Sequence, residues 1–149
     1  MYLEKINSPD DLKRLVLPEL ETLSDEIRTL IIEVVSKNGG HLSSSLGVVE
    51  LTLALHYVFD TPVDKIIWDV GHQCYTHKII TGRREKFRTL RQDNGISGFP
   101  SRQESVYDVF NTGHASNSIS IAVGLSEAKK KMNQSHKIVT VIGEIGRAS

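Results

Sequence analysis

The chain has a single cysteine, Cys74, so no disulfide can close within it. It reads as a protein of a reducing compartment. Proline occurs only 4 times, and no segment is repeated or low in complexity. No charge of one sign prevails, because Lys+Arg and Asp+Glu each number 18. That balance lacks the bulk positive charge on which nucleic-acid affinity rests. The one charge run, Lys129-Lys130-Lys131, follows an apolar helical pattern and reads as a solvated last helical turn, favoured by the helix dipole. No apolar run approaches the roughly 18–20 residues needed to span a bilayer. The first residues, Met1 to Asp11, are polar and acidic, unlike a signal or transit peptide. The expectation is a soluble, cytoplasmic protein with no membrane and no nucleic-acid partner.

What is present is ordinary globular material: 149 residues, 39% of them hydrophobic, the size of one domain. Pro9 to Leu15 reads as a short helix ended by Pro18. A long helix is expected from Ser24, where Ser24 caps and Ile27, Leu30, Ile31, Val34 and Val35 recur at helical spacing. Asn38-Gly39-Gly40 stops it. A second helix is expected from about Val48 to Val58, burying Leu51, Leu55 and Val58, and Asp60-Thr61-Pro62 breaks it. Lys65 to Val70 and Lys137 to Gly143 read as buried strands, with a helix from Ser116 to Met132 between them. This alternation predicts an α/β fold, a parallel sheet flanked by helices. Two clear strands are few for such a sheet, which suggests the first portion of a larger domain.

Three motifs set histidine or serine beside glycine at the ends of these elements. They are Gly39-Gly40-His41-Leu42-Ser43-Ser44-Ser45-Leu46-Gly47, Trp68-Asp69-Val70-Gly71-His72-Gln73-Cys74-Tyr75, and Asn111-Thr112-Gly113-His114-Ala115-Ser116. In an open α/β sheet ligands bind beyond the carboxyl ends of the strands. Glycine there lets backbone N–H groups approach an anion, and a helix start favours negative charge. The motifs together read as a cradle for a phosphorylated ligand. Singly, His41, His72 and His114 read equally well as caps or satisfied turn residues. His72, Cys74 and His77 lie close enough to suggest zinc, but their spacing fits no closed four-ligand site. His56 and His136 read as surface residues. Arg83, Arg84, Arg88 and Arg91 read as a solvated basic face beside the glycine-punctuated loop from Gly95 to Arg102. No dinucleotide fingerprint, P-loop or nucleophile elbow occurs.

Taken in order, Gly40 to Gly47, Trp68 to Arg83, Gly95 to Pro100, Tyr107-Asp108 and Gly113 to Ser120 closely resemble the N-terminal part of the 1-deoxy-D-xylulose-5-phosphate synthase family, which is transketolase-like and thiamine-diphosphate-dependent. The resemblance covers about Ser8 to Gly143. It implies that His72 contacts the cofactor diphosphate, that Gly113, His114 and Ala115 line the same cofactor, and that His41 stands beside the reactive thiazolium carbon and handles protons. It implies thiamine diphosphate and Mg²⁺ as cofactors, and pyruvate and D-glyceraldehyde 3-phosphate as substrates, joined with loss of CO₂. It also implies a homodimer, and a product that feeds isoprenoid, thiamine and pyridoxal synthesis.

One stretch departs from the family. Gly143-Glu144-Ile145-Gly146 stands where the family has Gly-Asp-Gly, so the resemblance sets Glu144 at the position of the Mg²⁺-binding aspartate. Glutamate is one methylene longer, and Mg²⁺ is strict about geometry. Residues 1–149 therefore read as an incomplete N-terminal, diphosphate-binding domain, without the family's pyrimidine-binding and C-terminal domains. The expectation is a chain inactive by itself: a truncated non-catalytic homologue, or one part of a split enzyme.

Overall fold

The computed structural model describes residues 1–143. The chain enters through a 3₁₀ turn (Leu3–Lys5) and a short helix, α1 (Pro9–Leu12). The long helix α2 (Leu17–Asn38) begins earlier than the sequence suggests. Pro18 does not merely end the preceding segment. It sits in the first turn of α2, where its missing N–H has no helical partner to lose. The Glu19 carboxylate returns to the Val16 N–H at 2.9 Å and secures this start. Ser24 lies inside the helix, its hydroxyl donating to the Glu21 carbonyl at 2.7 Å. The stripe of Leu23, Ile27, Leu30, Ile31, Val34 and Val35 is buried, as its spacing requires. Gly39, at φ +76°, turns the chain out of the helix.

Two helices follow, α3 (Leu42–Leu46) and α4 (Val49–Val58). The buried residues of α4 are Val49, Thr52, Leu53 and His56, whereas Leu51 and Val58 are 47% and 70% exposed and Leu55 is half-buried. This corrects the expected face. Apolar side chains surround α4, so their spacing selects no single side. Strands β1 (Lys65–Trp68) and β2 (Ile138–Val141) pair in parallel, from Lys65 opposite Ile138 to Trp68 opposite Val141. The crossover between them holds α5 (Tyr75–Lys78) and α6 (Ser118–Lys131). The fold is α/β with a small parallel sheet. Among the described residues no helix is long and apolar enough to cross a membrane.

Polar packing takes over from apolar packing on one side of α5. His56 is fully buried rather than on a surface, with Nδ1 2.9 Å from Thr61 Oγ1 and Nε2 2.8 Å from His77 Nδ1. His77 Nε2 lies 2.8 Å from Asp108 Oδ1. Arg83 is not part of a solvated face. It is buried and donates to both oxygens of Asp108, at 2.6 and 2.9 Å. The Ser101 N–H donates to Asp108 as well, at 2.7 Å. Buried Lys78 pairs with Glu104, which takes the Ser97 N–H at 2.7 Å. Two cations thus meet two carboxylates, and the cluster is neutral when both imidazoles are neutral.

The proton positions follow from that balance. Burial alone would raise the Asp108 carboxyl, but hydrogen bonds from His77 and Arg83 hold it far below its usual range. An ionised Asp108 accepts, so His77 carries its proton on Nε2. His77 Nδ1 then accepts from His56 Nε2–H, and the Thr61 hydroxyl donates to His56 Nδ1. Burial pushes both histidines below their ordinary value, joined for His56 by the neighbouring His77, Lys13 and Arg83.

Two expectations follow. Ile27→Ala, in the wholly buried centre of α2, lowers unfolding free energy by about 2–5 kcal/mol, read from urea denaturation. The second concerns pH. Both histidines take up protons less readily in the fold than in the unfolded chain, where they titrate near about 6.5. As pH falls below that value the unfolded chain gains protons ahead of the fold, and stability falls, by at most about 1.4 kcal/mol per pH unit for each histidine. Urea midpoints measured from pH 7 to pH 5 by Trp68 fluorescence check this, since the Trp68 ring lies 5.5 Å from that of His77. His56→Gln is expected to make the slope shallower.

Candidate cofactor-binding site

β1 and β2 end side by side at Trp68 and Val141. The chain leaves β1 through a sharp turn in which Val70 and Gly71 have φ of +58° and +91°. A Cβ on Gly71 would come within 2.3 Å of Thr112 Oγ1 and 2.4 Å of Pro100 Cδ. Only glycine lets three segments meet here: the turn after β1, the loop from Gly95 to Pro100, and the loop leading into α6.

Asp69 makes the second link. Its carboxylate accepts the backbone N–H groups of Ser116 and Ser118, at 3.1 and 3.3 Å. Burial would raise this carboxyl, but those hydrogen bonds keep it below its usual value. The start of α6 therefore already carries a negative charge. Asp69 thus takes the N–H groups of Ser116 and Ser118 at this helix start. Gly113, His114 and Ala115 stand exposed between Thr112, which packs near Gly71, and Ser116, which Asp69 holds.

The other two candidate histidines come together. His41 precedes α3, and its N–H donates to Tyr75 Oη at 3.2 Å. The His41 ring stands edge-on to that of His72, with centroids 5.3 Å apart, and 6.1 Å from that of Phe99. The His72 carbonyl accepts the Ser45 hydroxyl at 3.2 Å, which ties the turn after β1 to α3. A cleft of about 290 Å³ opens between α3 and the strand ends, lined in part by Ser43, Ser44, His72, Gln73, Val141 and Gly143.

Four buried polar atoms flanking this region have no hydrogen-bond partner among the described residues: His72 Nδ1, Gln73 Oε1, Thr112 Oγ1 and Asn117 Oδ1. Buried polar atoms rarely remain unpaired, so each invites a ligand or water. The His72 ring and the Thr112 hydroxyl can donate to phosphate oxygens, while Gln73 and Asn117 offer acceptors. This donor set fits the polar part of thiamine diphosphate. Metal is a separate matter. Among the described residues no group of three His, Cys, Asp or Glu side chains could hold an ion. Burial pushes the Cys74 thiol up to about 12, so it stays protonated, and His77 is engaged by Asp108. Glu144 lies outside the described residues.

Two contributors escape a reading by sequence. Tyr75 is one, because its buried hydroxyl meets His41 across 34 positions of the chain. Asp69 is the other, although an aspartate directly after a strand, ahead of a serine-rich helix start, is a legible signal of a long-range cap.

Over residues 3–147 the chain matches the family described as 1-deoxy-D-xylulose-5-phosphate synthase. It is 61% identical over 142 residues to 1-deoxy-D-xylulose-5-phosphate synthase of Caldanaerobacter subterraneus subsp. tengcongensis, a match covering 95% of this chain and 23% of that protein. Identity to the synthase of Syntrophomonas wolfei subsp. wolfei is 63% over 142 residues, covering 95% and 22%. For the synthase of Bordetella avium it is 57% over 143 residues, covering 96% and 23%. The chain spans less than a quarter of the length of these relatives. The match takes in every motif that meets at the strand ends up to Gly143, and the chain belongs to the 1-deoxy-D-xylulose-5-phosphate synthase family.

Proposed function

We propose that these residues form the diphosphate-binding part of a thiamine-diphosphate enzyme that joins pyruvate to D-glyceraldehyde 3-phosphate with loss of CO₂. The observation that carries this reading is the edge-on pair of His41 and His72, at 5.3 Å, beside the Nδ1 of His72, which has no partner among the described residues. When bound, the cofactor supplies an electron sink for the carbon that loses CO₂. The His72 ring donates to the diphosphate, and Thr112 adds a second donor. His41, exposed at the mouth of α3 and held against His72 and Phe99, holds or moves a proton at the ligand. The aromatic ring of Phe99 keeps water from one side of that imidazole. Gly113, His114 and Ala115 line the cofactor from the loop before α6.

In this reading Mg²⁺ accompanies the diphosphate, with Glu144 at the family's aspartate position. The pyrimidine-binding and C-terminal domains belong to the remaining length of the relatives. The assembled enzyme is a cytoplasmic homodimer. The 149 residues alone bind cofactor without turning over.

Calorimetric titration with thiamine diphosphate, with and without Mg²⁺, tests the first reading. Saturable binding is expected, weakened about tenfold or more in His72→Ala, since a hydrogen bond to a charged group is lost. A folded chain that binds no thiamine diphosphate under either condition contradicts it.

A further inference from the structure

We infer that Tyr75 is the positioning residue for His41: its hydroxyl holds the His41 backbone and so sets where the imidazole stands relative to His72. The inference rests on the reading of His41 and His72 as a cofactor site.

The segment before His41 is poorly constrained by its own residues. Gly39 and Gly40 have φ of +76° and +143°, in the region that favours glycine. Helix α3 is only five residues long. Tyr75 supplies an anchor for this backbone from outside the segment. Its side chain is wholly buried, and its ring meets Phe87 edge-on with centroids 5.5 Å apart. The hydroxyl is thus carried on a rigid ring locked in the core.

That hydroxyl contacts one loop and faces a second. It accepts the His41 N–H at 3.2 Å. It lies 2.6 Å from where a Cβ on Gly40 would stand, so the chain passes directly against it. It lies 3.8 Å from the corresponding point on Gly98, the residue before Phe99. His41, whose ring stands 6.1 Å from that of Phe99, thus leaves a segment bonded to this oxygen, and Phe99 a segment that passes near it. Tyr75 also follows His72 by three positions, so the anchor moves with His72. The hydroxyl links the two histidines through a path of one hydrogen bond and one turn. Burial raises the phenol's pKa, opposed by the His41 N–H and the Arg91 charge, so it stays a neutral hydroxyl near neutral pH.

Tyr75→Phe tests this, because it keeps the ring against Phe87 and removes only the oxygen. Imidazole NMR on the 149-residue chain reads the outcome. The expected result is a folded variant in which the His41 ring signals shift and the ring contacts of His41 with His72 and Phe99 weaken. Affinity for thiamine diphosphate is then expected to fall by about threefold to tenfold, as for one neutral hydrogen bond. Unchanged His41 signals and contacts in a folded Tyr75→Phe overturn the inference. A wild-type measurement needs no variant: the His41 amide, on an exposed residue, is expected to exchange with solvent at least about tenfold more slowly than an open amide. Unprotected exchange there also overturns the inference. Shifted His41 signals together with no cofactor binding by wild type would uphold the role of Tyr75 and remove the cofactor reading, so the two failures are distinguishable.

Discussion

The carboxylate of Asp69 takes the N–H groups of Ser116 and Ser118, at 3.1 and 3.3 Å, and the candidate site depends on that contact. It joins the end of β1 to the start of α6 across 47 and 49 positions of sequence. A parallel pair of strands needs a crossover, which must carry the chain from the carboxyl end of β1 back to the end where β2 begins. Asp69 fixes where its helix, α6, sets out. Gly71 then lets Thr112 and Pro100 close on the turn. Without either residue, the loops that carry His72, Phe99 and His114 would have no common origin.

The other anchor is electrostatic. Asp108 gathers Arg83, His77 and the Ser101 N–H in a space closed to solvent, and Glu104, half-buried at its edge, takes Lys78 and the Ser97 N–H. Burying Lys78, Arg83 and Asp108 is expensive, and removing one partner leaves an uncompensated charge. What the cluster provides is geometry. It pins Ser97 and Ser101, which flank Phe99, to α5 and to Arg83 in the segment that follows it. The site is thus held on one side by a carboxylate capping a helix and on the other by a neutral set of buried ion pairs. His56 extends that set to α4, which explains why a histidine occupies a buried helical position.

Much of this was legible in the sequence, for physical reasons. The stripe on α2 has one apolar side and buried as its spacing required, and β1 and β2 are short apolar runs between turn signals. The helix and strand alternation gave the parallel pair. The face of α4 was not legible, because its apolar residues surround the helix. His56 and Arg83 were misread for a different reason: their partners lie 21 and 25 positions away, and pattern reading pairs only neighbours. His41 and His72 stood out by their glycine-rich setting and by family resemblance, and the fold brings their rings together. The supporting hydroxyl of Tyr75 left no local trace, since a buried tyrosine reads as core.

The account holds that the histidine-bearing motifs form one cofactor cradle at the carboxyl ends of the strands. The most direct test is a map of backbone amide NMR shifts in the 149-residue chain as thiamine diphosphate and Mg²⁺ are added. The account expects saturable shifts at His41, His72, Thr112 and Gly113 to Ala115, with the apolar groove of Leu17, Leu20, Leu53 and Tyr57 unmoved. Shifts centred on that groove, or none in a folded chain, would contradict it.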